Sequence, residues 1–213
     1  MQFNEAWDLI GGLSKPSKMP WWSYSIPAAA CKTGSKLAKI PGTVCHNCYA
    51  LKGFYNMPNV KDALTRRLKA MDDPLFEDAF VVVLDDLWAR SRKHENRFRW
   101  FDSGDIQSEE HLTKINNIAK RTPQVRHWLP TKETLLVKNW IRNNGEFNFN
   151  LTVRQSHPKV GGYFSKNHSV PFATVNAAVK WIEQCTAPSQ GNKCIDCDKC
   201  WNPKVKAVNY KEH

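Results

Sequence analysis

The sequence predicts an α/β fold, either a partial TIM-like barrel or an open, mostly parallel sheet, with a cysteine-rich C-terminal extension. Strand and helix patterns alternate through the middle of the chain, and polar motifs follow the strands. Strands joined through helices run parallel, with right-handed crossovers. We expect an α/β core over residues 1–184 and the extension, packed on it, over residues 185–213.

The first half of the chain shows two strand patterns and two helical patterns. Residues 22–28 predict a short strand, and a cysteine-bearing loop follows over 29–48. Apolar residues recur every three or four positions over 58–71 and again over 75–93, which predicts two amphipathic helices. Residues 97–102 alternate in polarity and predict the second strand.

The second half continues the alternation. Ser108 can cap a helix whose first turn carries Glu109 and Glu110, where negative charge suits the helix dipole. The remaining predicted elements are a strand at 125–130, a helix at 133–144 ended by Gly145, strands at 147–153 and 168–175, a helix near 175–184 and a closing strand at 205–210.

Composition narrows the class of protein. No apolar run of about 18 residues is present and the first residues lack the pattern of a signal peptide, so we expect no membrane span and a cytoplasmic location. The 31 Lys and Arg residues outnumber the 20 Asp and Glu residues, giving a net charge of +11. Such a surface attracts polyanions, so nucleic acid or a nucleotide is the expected partner.

The first cysteine group consists of Cys31, Cys45 and Cys48. In a reducing compartment, clustered cysteines indicate metal binding or catalysis more than disulfides. Three thiolates are one ligand short of a closed tetrahedral site, so either His46 or a remote residue completes a zinc site, or the thiolates hold a cubane iron–sulfur cluster with one open iron. A dithiol redox pair at Cys45 and Cys48 is the third interpretation. For His46 we favour a hydrogen bond beside the metal.

The second group consists of Cys185, Cys194, Cys197 and Cys200. Four thiolates are enough to close a site, and their spacing favours an iron–sulfur cluster while also suiting zinc. The surrounding sequence is polar and loop-like, so we expect a metal to hold it in one conformation.

Polar residues follow the later strands at Asp102, Ser103, Gly104, Asp105, Lys132 and Arg154. The two aspartates could bind a cofactor amine or ribose or act as acid and base, or they could simply cap a turn. Lys132 and Arg154 could each hold a carboxylate or phosphate, or be surface charges. We assign Asp102, Asp105 and Lys132 as candidate catalytic residues, and Ser103, Gly104, Asp105 and Arg154 as candidate cofactor-binding residues.

Four blocks carry a family resemblance: "ACKTGSKLAKIPGTVCHNCYALKG", "WFDSGDIQSEEHL", "HWLPTKETLL" and "CIDCDKCW". In order, over about residues 22–205, they resemble the gene product 88 family of bacteriophage proteins. The same blocks are similar to a shortened radical S-adenosylmethionine enzyme of the spore-photoproduct-lyase-like branch. The usual cysteine spacing in that superfamily is CxxxCxxC, whereas thirteen residues separate Cys31 from Cys45.

The second resemblance implies a cofactor and a reaction. It implies a [4Fe–4S] cluster on Cys31, Cys45 and Cys48, an open iron that binds S-adenosylmethionine, and contact of its amino group with residues 103–105. It also implies an electron donor, reductive cleavage to a 5′-deoxyadenosyl radical, and a substrate that in a phage setting is a nucleotide or nucleic acid. The rival hypothesis is a non-enzymatic, zinc- or cluster-stabilised protein that binds nucleic acid or a host component.

Overall fold

A computed structural model describes residues 1–91 and 95–212. Its strands are β1 (Ser23–Tyr24), β2 (Arg97–Trp100), β3 (Arg126–Thr131), β4 (Leu151–Ser156), β5 (Phe172–Val175), β6 (Glu183–Gln184) and β7 (Ala207–Tyr210). They form one sheet in the order β1-β2-β3-β4-β5-β7-β6, and every neighbouring pair is parallel. The predicted α/β class is confirmed, as an open sheet rather than a closed barrel.

The helices are α1 (Phe3–Leu9), α2 (Lys32–Leu37), α3 (Pro58–Ala70), α4 (Phe76–Ala89), α5 (Glu109–Arg121) and α6 (Thr134–Asn144). Neighbouring strands β2, β3 and β4 are joined in sequence through α5 and α6. The two helices contact each other and lie on one face of the sheet, as crossovers of the same hand require. Within the described part of the chain, no helix is long and apolar enough to cross a membrane.

The main core lies between the helices and this face of the sheet. The alternation in β2 sends Phe98 and Trp100 into it, and both side chains are fully buried. Phe80 of α4 stacks on Trp100 with ring centroids 4.7 Å apart, and Tyr24 packs edge-on against Phe80 at 5.2 Å. The helix pattern over 58–71 and the α5 cap at Ser108, which accepts a hydrogen bond from His111 N at 3.1 Å, are confirmed.

The opposite face of the sheet is covered by the C-terminal extension. Trp201 packs edge-on against Trp128 of β3 with centroids 5.1 Å apart, and its indole donates to the Phe98 carbonyl at 2.7 Å. Thr152 of β4 donates to the Trp201 carbonyl at 3.0 Å. The extension also supplies β7, which lies between β5 and β6, so it is part of the sheet as well as its cover.

Two predicted elements are corrected by the structure. The prediction of a helix near 175–184 is wrong. Asn176 has a φ of 53°, and Ala177 N donates to the Asn209 side chain at 2.9 Å. The chain therefore turns back here and forms β6. The strand predicted at 147–153 begins only at Leu151. Just before Leu151, the side-chain amide of Asn150 donates hydrogen bonds to the carbonyls of Ala119, Thr122 and Val125.

Smaller differences concern the ends of elements. The strand predicted at 22–28 is limited to β1, although Ile26 N still bonds to the Ser103 carbonyl at 3.1 Å. The loop at 29–48 contains α2, and α1 was not predicted. The helix predicted over 75–93 ends at Ala89, and residues 92 and 93 of that prediction lie outside the described residues.

His127 makes the stability of the core depend on pH. It is fully buried in β3, where its Nδ1 accepts from Trp100 Nε1 at 3.2 Å and its Nε2 lies 2.9 Å from Thr122 Oγ1. Burial lowers the pKa of His127 from 6.5 to about 3. Below pH 6.5 His127 is protonated in the unfolded chain but stays neutral in the folded chain. The free energy of unfolding therefore falls as the pH falls.

We expect a loss of about 1.4 kcal/mol per pH unit from this group between its two pKa values. Urea unfolding of the His127→Gln variant, measured beside the parent at neutral and mildly acidic pH, should show a shallower dependence on pH. Equal slopes for the two proteins would show that other groups set the acid sensitivity.

Candidate functional site

Three predicted thiols converge at the C-terminal edge of the sheet, in the chain that follows β1. A methyl group added at Gly34 would lie 3.6 Å from the sulfurs of both Cys31 and Cys45, so this glycine of α2 sits between them. Cys45 and Cys48 both act electrostatically on Cys31. The structure therefore brings together the three cysteines that the sequence grouped, despite the long insert between the first two.

The thiols lie in an environment that disfavours bare thiolates. Burial raises the pKa of Cys31 to about 12, helped by the carboxylate of Asp105 and the two neighbouring thiols and opposed by Lys132. Burial also raises the pKa of Cys45, against the attraction and hydrogen bond of Lys132. Without a cation the thiols of Cys31 and Cys45 stay protonated at neutral pH, and a bound metal would reverse this by stabilising the thiolates.

The insert between Cys31 and Cys45 is anchored at both ends. Thr33 donates its backbone N–H and its hydroxyl to the two carboxylate oxygens of Glu133, both at 2.8 Å. At the other end Thr43 forms an antiparallel bridge with Lys159, and Val44 N donates to the Pro158 carbonyl at 2.9 Å. Loops after β3 and β4 thus fix the positions of the cysteines.

Residues 103–105 form a tight turn against the chain that leads to Cys31. Gly104 has a φ of +86°, and the Ser103 hydroxyl donates to the Ile26 carbonyl at 3.1 Å. Asp105 is buried and accepts from the backbone N–H groups of Ile106 and Lys132, both at 2.8 Å. Burial raises the pKa of Asp105 to about 6, although these hydrogen bonds oppose the shift.

Asp102 serves as an anchor for the segment after Cys48. Its carboxylate accepts from Ser23 Oγ and Tyr55 OH, each at 2.9 Å, and from the Ser25 hydroxyl, while its backbone carbonyl accepts from Tyr49 OH. This arrangement gives Asp102 a positioning role. Sequence reasoning missed both tyrosines, since nothing in their local pattern marks a partner about fifty residues away.

Of the remaining predicted site residues, some lie at the first cysteine group and others do not. Lys132 lies beside Cys45 and belongs to the site. Arg154 lies in the middle of β4, fully buried under the extension, and donates to the carbonyls of Phe172, Lys199, Asn202 and Val205. His46 is exposed, with Nδ1 3.1 Å from the Ala38 carbonyl oxygen. We therefore keep Lys132 in the proposed site and treat Arg154 as a structural residue.

The four C-terminal thiols also form one group, on the face of the sheet opposite the helices. Burial raises the pKa values of Cys185 and Cys194, and each also feels neighbouring thiols. Cys200 is the most buried, with its sulfur 3.0 Å from the Tyr210 hydroxyl, and burial raises its pKa to about 12. The cations that act on these thiols are Arg97, Arg99, Arg154 and Lys199.

Arg99 of β2 lies between the two cysteine groups. Its guanidinium stacks over Trp128 at 4.6 Å and hydrogen-bonds the Tyr49 hydroxyl. Burial opposes its charge, yet acidic neighbours that include Asp102 near the first group and Cys200 in the second raise the pKa of Arg99. Arg99 is therefore a cation that acidic groups on both sides of it help to keep charged.

The thiols supply suitable donors for a metal centre, but the described residues do not form a tight single-ion site. All seven cysteines are free, and across residues 1–91 and 95–212 no three His, Cys, Asp or Glu side chains come close enough together to hold an ion. Thiolates of a cubane cluster bind separate iron atoms and stand further apart than the ligands of one zinc ion.

Two cavities lie beside the extension rather than beside the first cysteine group. One, of about 380 Å³, is lined by polar residues that include Arg97, Arg126 and Asp198. The other, of about 280 Å³, reaches Cys197. Neither of these two cavities is lined by Cys31, Cys45 or Cys48, whose side chains are all half-buried.

The fold and site together define an open, parallel α/β protein with three convergent cysteines at the C-terminal edge of its sheet. The chain belongs to the gene product 88 family, which it matches over residues 6–203. This membership supports the bacteriophage setting that the sequence predicted. No curated protein and no solved structure matches the chain significantly.

Proposed function

We propose that the chain is an iron–sulfur protein whose first site holds a [4Fe–4S] cluster with one iron left open for S-adenosylmethionine. The convergence of Cys31, Cys45 and Cys48 beside Asp105 and Lys132 is the observation that supports this proposal. When bound, such a cluster supplies one-electron chemistry, which no side chain of this site offers by itself.

The other residues of the site prepare it for a cofactor. Gly34 carries no side chain, which leaves space beside the sulfurs of Cys31 and Cys45. Asp105 is held by two backbone N–H groups, and its carboxylate lies close enough to Cys31 to act on that thiol. Lys132 offsets part of the negative charge that three thiolates bring.

For the second site we propose a closed, four-thiolate metal centre that fixes the extension on the sheet. An all-thiolate centre carries net negative charge, and the cations around Cys185, Cys194, Cys197 and Cys200 are placed to offset it. Arg97 supports this directly, because it donates to the carbonyls of Ile195 and Cys197 at 3.0 and 3.1 Å.

Metal analysis of anaerobically purified protein tests the proposal. We expect brown protein with about four iron atoms and about four sulfides for each cluster. The Cys45→Ser variant should lose the iron of the first site, and the Cys197→Ser variant should lose only the metal of the second. Each variant is the other's control for general loss of folding.

Addition of S-adenosylmethionine and a reductant to the iron-loaded protein should yield 5′-deoxyadenosine. Intact cofactor would overturn the assignment of the open iron and leave a cluster-binding protein. Zinc alone, without brown absorbance, would overturn the cluster itself and favour the non-enzymatic, zinc-stabilised protein.

A further inference from the structure

Much of the positive charge of the chain lies in the sequence segment that contains the first cysteine group. Residues 9–61 contain no Asp or Glu, and their lysines are Lys15, Lys18, Lys32, Lys36, Lys39, Lys52 and Lys61. These seven lysines give +7 of the total +11 within 53 of the 213 residues, and all seven are exposed. Lys32, Lys36, Lys39 and Lys52 belong to the segments that carry or directly follow the three cysteines, and their charge attracts a polyanion there.

The same region exposes large apolar side chains. The exposed fractions in this segment are 51% for Ile40, 48% for Tyr49, 44% for Leu51, 78% for Phe54 and 46% for Met57. They lie within residues 36–57, which we call the loop surface. Large apolar side chains that are exposed close together on a protein surface are typical of a binding site.

Carboxylates near the loop surface are already engaged. Glu133 accepts hydrogen bonds from Thr33, and Asp102 accepts one from Tyr55. Asp105 is buried and accepts hydrogen bonds from two backbone N–H groups. The loop after β4 adds a further exposed cation, Lys159, through its bridge to Thr43. The surface around the cysteines therefore presents exposed lysines, of which Lys32 donates to the Gln107 carbonyl at 2.6 Å, and these three carboxylates are bound to other groups.

We propose that the loop surface binds single-stranded nucleic acid and brings it to the first cysteine group. Lysines pair with phosphates, and exposed aromatic faces such as that of Phe54 stack on bases that are available only in an unpaired strand. A membrane-binding surface would use a long amphipathic helix, whereas these apolar residues lie largely in short 3-10 turns, Tyr49–Leu51 and Gly53–Asn56. The proposal rests on the proposed function only for what happens at the cysteines.

Fluorescence anisotropy with a labelled oligothymidylate of about 16 nucleotides measures this binding on the full chain. The Phe54→Ala variant should bind about tenfold more weakly, through loss of one stacking contact. Phe149→Ala is the matched control, since Phe149 is similarly exposed (72%) but lies in the loop before β4, away from the cysteines. Its affinity should equal that of the parent.

A charge variant gives an independent measurement. Replacing Lys39 and Lys52 together by glutamine should lower the slope of log affinity against log salt by about 1.4, since each single-strand phosphate contact contributes about 0.7. Replacing the exposed Lys120 and Lys138 of α5 and α6 should leave that slope unchanged.

Three results would overturn the proposal: equal affinity for a duplex of the same length, equal effects of the Phe54 and Phe149 variants, or binding to anionic lipid vesicles without binding to the oligonucleotide. The Cys45→Ser variant separates this proposal from the previous one. Normal oligonucleotide binding by iron-free protein would support the surface, whatever the metal analysis shows.

Discussion

Replacing Gly104 by alanine is expected to lower the free energy of unfolding by about 2–5 kcal/mol. At φ +86° a side chain costs about 1–2 kcal/mol, because its Cβ crowds the backbone. The added methyl would also lie 2.3 Å from Ile26 Cγ1 and 2.8 Å from the Ile26 carbonyl oxygen, and such overpacking costs about 1–3 kcal/mol. Urea unfolding of the purified variant measures the combined loss in the free energy of unfolding.

Gly145 provides a matched control for this change. It has the same φ of +86°, but a methyl group there meets nothing within 4 Å. Gly145→Ala should therefore show only a backbone cost, about 1–3 kcal/mol at its φ of 86° and ψ of −147°. Equal losses for the two variants would mean that the turn moves freely away from Ile26, and Asp105 would then not be held rigidly against the cysteines.

The fold could be predicted where local pattern and tertiary environment agree. The helix over 58–71 and β2 carry clear periodicity, and both appear in the structure. The helix expected near 175–184 fails because Asn209, some thirty residues away, bonds to Ala177 and holds a strand-forming path. No property of residues 175–184 alone carries that information.

The candidate site shows the same division. The three cysteines could be grouped because they lie in one loop after the first predicted strand. Asp105 and Lys132 could be added because loops after parallel strands meet at one edge of the sheet. Arg154 could not be placed this way. The predicted strand ended at residue 153, just before Arg154, whereas β4 continues to Ser156. Arg154 therefore lies within the strand and under the extension, not in the loop that follows the strand.

Arg154→Met is expected to destabilise the protein by about 3–5 kcal/mol, the cost of breaking a buried charged network. The methionine fills similar space but leaves four carbonyls without their donor, at Phe172, Lys199, Asn202 and Val205. The last three belong to the extension. Limited proteolysis should therefore show earlier cleavage between Cys185 and Val205, alongside the lower urea midpoint.

Arg126→Met is the control that distinguishes a buried network from a surface contact. Arg126 also ties a strand to the extension, through Asp198 at 2.8 Å, but its side chain is 39% exposed and that of Asp198 is 48% exposed. Exposed ion pairs contribute about 1 kcal/mol or less. If both variants release the extension equally, its attachment depends on charge pairing in general and not on the buried hydrogen bonds of Arg154.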